Sequence, residues 1–318
     1  MMGEFAYGPQ ELKIQGKVAR VTDDTQLTLA VGEALMSASM SAPKPITRDK
    51  IEQSLRDAFI KWLHSPDNDR ESGHTTTESC KRLAAGIQWY QSTGDARRGQ
   101  SRGCGATMRV APVGLLRTKD PAERAAIAQL QSALTHIHPT ALTASDLTAT
   151  AIADLVAGGD TSGLLARLRR YAESQQSVYH ANWLGSLWKH DDLSRSYSSP
   201  EHYIASGWND CLMALTDLES ELTRPDDGGD VSLKIRFKEQ GHTAHSAFGI
   251  ALLCFLRYSN EPLSAIRRAA FTDGDSDTIA ALAGAFAGAY LGIAAWPTSW
   301  LNRIEYHQRL SILGEFWD

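Results

Sequence analysis

The stretch Asp273-Gly274-Asp275-Ser276-Asp277-Thr278-Ile279-Ala280-Ala281-Leu282-Ala283-Gly284-Ala285-Phe286-Ala287-Gly288-Ala289-Tyr290-Leu291 passes from a knot of carboxylates straight into an apolar run that stays uncharged to Trp296. Small and apolar residues without strand-type alternation predict a helix here. Residues 279–296 approach the length of a membrane span, and Gly284, Gly288 and Gly292 repeat the GxxxG spacing. Ala and Gly drive insertion far less than Leu or Ile, however, and the aspartates adjoin the run directly. The expectation is therefore a buried central helix whose small residues let neighbouring backbones come close, with no membrane partner.

Helical periodicity extends outward from this stretch over most of the chain. Leu27, Ala30, Val31, Ala34 and Leu35 fall on one face, as do Ile51, Leu55, Ala58, Phe59 and Trp62 before Ser65-Pro66 stops that helix. Further helices are expected near 78–90, 122–134, 141–156, 164–172, 247–258, 263–271 and 279–295. Thr75 and Glu78 stand at capping-box spacing. Residues 231–237 are the one short strand candidate, and Lys189-His190-Asp191-Asp192 reads as a solvated loop. Pro and Gly punctuate the helices, but no break is long or polar enough for a linker and no repeat appears. The pattern predicts an all-α fold with residues 1–318 in one domain.

The bulk numbers bound the function. A hydrophobic fraction of 42% with 22% charged residues is that of a folded chain. The formal charge of −5 lacks the pull expected of a nucleic-acid binder. Cys80, Cys104, Cys211 and Cys254 never form CxxC, which argues against a zinc site or a disulfide framework. Met1-Met2-Gly3-Glu4-Phe5-Ala6-Tyr7 has no basic region followed by an apolar core, so a cytoplasmic location is expected.

Two aspartate clusters carry the chemistry. Thr22-Asp23-Asp24-Thr25 precedes one amphipathic helix, and residues 273–278 precede the Ala/Gly-rich one. Helix capping accounts for one acid at each helix start. It does not account for two or three, because adjacent carboxylates repel and resist desolvation unless a cation neutralises them. All-oxygen donors imply a hard ion, Mg²⁺ or Mn²⁺, and two such clusters suit a pair about 3.5–4 Å apart. An EF-hand fails: Thr278 stands where the turn needs Gly, and Gly284 where the bidentate Glu belongs. Capping with surface charge stays open as the rival reading.

Together these stretches resemble the ADP-ribosylglycohydrolase family. Its first metal motif, Thr-Asp-Asp-Thr, is matched by Thr22 to Thr25, and its second, Gly-Asp-x-Asp-Thr before an Ala/Gly-rich helix, by Gly274 to Thr278. Between them, Gly103-Cys104-Gly105-Ala106-Thr107-Met108-Arg109-Val110-Ala111-Pro112 is similar to the family's glycine-rich loop, and the Gly-Cys-Gly form resembles a bacterial subgroup. Thr135-His136-Ile137-His138-Pro139 resembles the Thr-His-x-His-Pro turn that opens the next helix. The resemblance implies a compact orthogonal multi-helix bundle. It also implies two Mg²⁺ or Mn²⁺ ions on Thr22, Asp23, Asp24, Asp275, Asp277 and Thr278, with Asp24 also in the catalytic set. Gly103, Gly105, Thr107, Met108, His138 and Ser276 would contact the substrate. The implied activity is hydrolytic removal of ADP-ribose from a modified protein side chain, with arginine the expected acceptor.

Each supporting residue also has a plainer reading. The two glycines of the loop can simply permit a turn, Met108 can be core, His138 can hold the start of the Pro139 helix, and His136 reads as structural. Glu71, in Glu71-Ser72-Gly73-His74-Thr75, resembles the acid of the family's Asp-x-Gly-x-Thr. It is the acid–base candidate, against an exposed loop carboxylate.

Two features depart from the family pattern. The N-terminal glycine-rich helix has no counterpart before Thr22, where Glu4 is the nearest stand-in for its acid. His245-Ser246 replaces a usual pair of glutamates. The shortened start favours a rival of a different class: a non-catalytic protein that holds ADP-ribose or blocks an ADP-ribosylating toxin. A di-metal phosphatase is disfavoured because no histidines flank the aspartates.

Overall fold

The computed structural model describes residues 17–40, 47–92, 96–118, 120–193, 197–224 and 237–318. Several helices begin where a side chain takes up a free first-turn amide: Asp120 accepts from Ala122 N at 2.9 Å, Asp160 from Gly163 N at 2.7 Å and Ser199 from His202 N at 3.1 Å. The longer helices are α1 (Asp23–Met40), α2 (Arg48–Leu63), α3 (His74–Ala84), α4 (Pro121–Ala133), α5 (Pro139–Val156), α6 (Thr161–Gln175), α7 (Pro200–Leu222), α8 (Ala244–Arg257), α9 (Pro262–Ala270), α10 (Ser276–Leu291) and α11 (His307–Trp317). Among the described residues there is no strand, only isolated bridges between Ala19 and Ile304 and between Gly103 and Thr243. The fold is all-α. No helix among the described residues is long and apolar enough to cross a membrane.

The core is built on α5 and α8. Every residue from Pro139 to Ala149 is buried, as is every residue from Ala244 to Phe255. Helix α5 packs against α4, α6, α7, α8 and α10. Burying each Leu or Phe in such a site stabilises by about 1.5–3 kcal/mol. Helix α7 comes close to the start of α5, where a Cβ on Gly207 would lie 2.4 Å from the Pro139 carbonyl oxygen.

The expectation for residues 279–296 needs correction. Helix α10 ends at Leu291 and buries one face, through Thr278, Ile279, Leu282, Ala283, Phe286 and Ala287. Its glycines do not mediate close approach: Gly288 has no neighbour within 4 Å of a built Cβ, and Gly284 meets only Ile266 at 3.4 Å. Helices α5 and α8, buried on all sides over most of their length, take the centre instead.

Three further expectations shift. Helix α3 starts at His74 rather than near 78, with Gly73 in the capping position. The Thr75–Glu78 box does not form, because Thr75 Oγ1 bonds Ser101 Oγ at 2.9 Å and Glu78 pairs with Lys81 at 2.8 Å. The 189–192 loop is not uniformly solvated. His190 and Asp192 are buried, and Asp192 accepts from Ser92 Oγ at 2.7 Å with the Arg98 guanidinium 3.9 Å away. Pairing with a buried guanidinium offsets the cost of enclosing that carboxylate. Residues 231–236 of the strand candidate, and Glu4, lie outside the described residues.

Candidate active site

The two aspartate clusters, more than 240 residues apart in sequence by their numbering, meet where α1 and α10 begin. Asp23 and Asp24 form the first turn of α1, Asp275 caps α10 and Asp277 lies in its first turn. Both helix dipoles thus direct their positive ends at the same point. Carboxylate oxygens of Asp23, Asp24 and Asp277 all lie within 4.8 Å of one another.

Local bonds hold each cluster in place. The segment before α1 is tied to the chain's end: Ala19 N donates to Arg303 O at 2.7 Å and Glu305 N to Ala19 O at 3.0 Å. Arg70 donates to the Val21 carbonyl at 2.9 Å and to Glu305 at 3.0 Å. Thr22 Oγ1 donates to Asp24 Oδ2 at 2.9 Å. In the second cluster Asp275 N donates to Gln240 O at 3.1 Å, and the Cys104 thiol donates to Asp275 Oδ2 at 2.9 Å. Thr278 Oγ1 lies 3.7 Å from Met108 Sδ.

Electrostatically the site is unfavourable as bare protein. Burial, and then the charge of Asp277, push Asp23 up to about 7. The same causes, followed by Asp23 itself, push Asp24 up to about 8. Burial also raises Asp275. Asp24 Oδ1 is buried with no hydrogen-bond partner. An enclosed carboxylate oxygen lacking a donor, among other carboxylates, fits a hard divalent cation, which would neutralise the set and take up the free lone pairs.

These residues open into a cleft of about 440 Å³. Of the residues read from the sequence, Asp23, Asp24, Glu71, Gly103, Gly105, Met108, Asp275, Asp277 and Thr278 line it. Glu71 stands exposed at the rim in a left-handed conformation, φ 63°. Gly105 is constrained by space: a Cβ there would lie 2.7 Å from Thr76 Oγ1 and 3.0 Å from His136 Cε1. Four sequence-derived residues are not among the lining set. Thr22 reaches the site only through its hydroxyl bond to Asp24 Oδ2. Thr107 is fully buried with Oγ1 3.4 Å from Ser145 Oγ. His138 caps α5, its Nδ1 accepting from Thr140 N at 3.2 Å. Ser276 donates its amide to Gly274 O at 2.9 Å.

Other lining residues, among them Thr76, Ser101, Cys104, His136 and His242, escaped the sequence reading as site residues. The Thr-His-x-His-Pro turn offered two histidines, and only geometry shows that His136 faces the cleft while His138 turns to the helix start. Cys104 was visible inside the Gly-Cys-Gly loop, but its thiol bond to Asp275 requires contact across the fold. His245 and Ser246 serve the turn before α8: His245 Nδ1 is 3.3 Å from Thr243 Oγ1, and Ser246 Oγ accepts from Gly241 N at 2.9 Å.

Comparison with known proteins bears on the family and the fold. ADP-ribosylhydrolase ARH3 of Mus musculus is 25% identical over 311 residues, covering 92% of this chain and 75% of that protein. Its Homo sapiens counterpart is 28% identical over 232 residues, covering 68% of this chain and 57% of the human protein. A solved structure described as an ADP-ribosylglycohydrolase-related protein complex superposes with a TM-score of 0.61 at 22% identity, covering 93% of this chain and 80% of that one, and shares the fold. The sequence model of the ADP-ribosylglycohydrolase family matches residues 2–317. With a match of that extent, the chain belongs to the ADP-ribosylglycohydrolase family.

Proposed function

We propose that the cleft hydrolyses the bond between ADP-ribose and a modified protein side chain, with arginine as the acceptor. Thr22, Asp23, Asp24, Asp275, Asp277 and Thr278 would hold a pair of Mg²⁺ or Mn²⁺ ions. The observation that carries this reading is the convergence of three carboxylates from two distant segments, with Asp24 Oδ1 enclosed and undonated. Family membership and the similarity to proteins named ADP-ribosylhydrolase support the substrate class. Cations held by these carboxylates would supply Lewis-acid chemistry toward the ribose hydroxyls and water.

The chain's own residues supply the rest. Gly105 keeps the loop free of side-chain bulk, so backbone groups can approach a diphosphate. His136 borders the same loop. Glu71, at the rim, would be the acid that delivers a proton to the departing nitrogen. A proton donor at the rim supports a leaving group as basic as a guanidine, which is why arginine is the acceptor proposed.

The test is incubation with arginine-ADP-ribosylated protein in Mg²⁺, Mn²⁺ or EDTA while free ADP-ribose is followed. Metal-dependent release supports the enzyme. Tight binding of ADP-ribose with no release from any linkage would replace it with the binding-protein reading.

A further inference from the structure

Arg109 is completely enclosed, with its guanidinium 4.3 Å from the centre of the Phe59 ring. Its Nε donates to Gln131 Oε1 at 3.0 Å, and its Nη2 donates to Gln131 O at 2.9 Å and to Thr135 Oγ1 at 2.8 Å. Gln131 Nε2 in turn donates to Ala106 O at 3.0 Å, which ties the arginine to the glycine-rich loop. Thr135, also fully buried, holds its Oγ1 2.9 Å from His136 Nδ1.

A guanidinium only donates, so the Thr135 oxygen accepts from Arg109 and keeps one proton to give. Two acceptors lie within reach. His136 Nδ1 is at 2.9 Å, whereas Ser132 O is at 3.5 Å and already accepts the amides of Thr135 and His136 at 3.0 and 2.7 Å. The shorter, otherwise unserved contact takes the proton. Nδ1 is then an acceptor, and the ring's own proton resides on Nε2. Burial, with Arg109 and Arg98 nearby, holds the imidazole neutral, down to about 3. Nε2 borders the glycine loop in the cleft, 3.5 Å from a Cβ built on Gly103 and 3.3 Å from one on Gly105.

We propose that Arg109 and Thr135 are positioning residues whose relay locks His136 in its Nε2–H tautomer, so that the ring offers a hydrogen-bond donor at the Gly103–Gly105 loop. The opposite tautomer would present a lone pair there and repel a phosphate oxygen. The ligand chemistry is thus an acceptor oxygen of a phosphate. For the ligand's identity this inference rests on the function proposed above.

The experiment uses the full chain with ¹⁵N-labelled histidine. Long-range ¹H–¹⁵N correlation reads the His136 tautomer, and calorimetry reads ADP-ribose and Mn²⁺ affinity. Wild type and Thr135→Ser should show Nε2–H. Thr135→Val, matched in shape but lacking the hydroxyl, should show mixed tautomers and bind ADP-ribose about tenfold more weakly, the loss of roughly one hydrogen bond. Its Mn²⁺ affinity should stay unchanged, which general damage to the site would not allow. A wild-type ring protonated on Nδ1 overturns the relay, and that spectrum decides even if Thr135→Val fails to fold. Thr135→Val with an unaltered tautomer and unaltered affinity overturns it too. An Nε2–H ring in a protein with no affinity for ADP-ribose supports the relay and overturns the functional reading instead.

Discussion

Raising the pH of the metal-free protein from 6.5 to 8 should destabilise it, and a divalent cation should remove that dependence. Folded Asp23 and Asp24 keep their protons to about 7 and about 8, against an ordinary carboxylate value of 3.8 when unfolded. Between these limits the folded state binds more protons. The stability this confers is fully present below pH 3.8 and is lost as pH rises through 7 and 8. His136 and His138, held down to about 3 and about 4, act in the opposite sense: their contribution is present above 6.5 and lost as pH falls. Asp146, raised to about 6 by burial, has lost most of its contribution by pH 6.5. From 6.5 to 8 the loss comes from Asp23, Asp24 and the likewise raised Asp275, opposed by the last deprotonation of histidines in the unfolded chain. Only the acids' part responds to metal, so the difference between EDTA and Mn²⁺ reports them. Integrating the titration of Asp23 and Asp24 over this interval gives roughly 2 kcal/mol, or about 3 °C in Tm for a chain of this length. Thermal unfolding followed by circular dichroism, in EDTA and in Mn²⁺ at several pH values, measures the slope. Asp277→Asn removes the second cause of both shifts and should flatten the slope in EDTA. An equal slope in EDTA and with saturating Mn²⁺ would refute the reasoning.

Asp275→Ala combined with Asp277→Ala should abolish Mn²⁺ binding by calorimetry while helical circular dichroism is retained; full metal binding by the double variant would contradict the assigned ligands. Gly105→Ala should cost about 1–3 kcal/mol of stability and weaken ADP-ribose binding, because its Cβ would press on Thr76 and His136. Gly103→Ala meets nothing nearer than 3.4 Å, so equal damage from both substitutions in parallel denaturation curves would count against the packing argument. Glu71→Gln should slow release from arginine-ADP-ribosylated protein by about 10²–10⁴-fold with metal affinity intact. An unchanged rate would remove Glu71 from proton transfer.

Much of the helical pattern was readable because its signal is local. Leu27 through Leu35 repeat at the helix period, and Ser65-Pro66 stops α2 at once. Helix α7 was harder to see although its buried positions, Tyr203, Ile204, Gly207, Trp208, Cys211, Leu215 and Leu218, recur at helical spacing. Gly207, Cys211 and the aromatics Tyr203 and Trp208 interrupt the Ile and Leu of that face, so it stands out less clearly as a stripe. The centrality of α10 was misjudged because an uncharged run looks buried from composition alone. Burial depends on which helices are packed on every side by others, and that is α5 and α8, whereas α10 buries one face.

The amino-acid sequence by itself determined the helical class and the carboxylate motifs, since helix period, caps and contiguous acids depend on residues only a few positions apart. The tertiary structure alone decided that Asp23, Asp24 and Asp277 share one point, that Asp24 Oδ1 is left without a donor, and that His136 rather than His138 faces the cleft. Those facts arise from contacts between segments far apart in the chain. Such contacts are selected by packing around a common core, which no local spacing encodes.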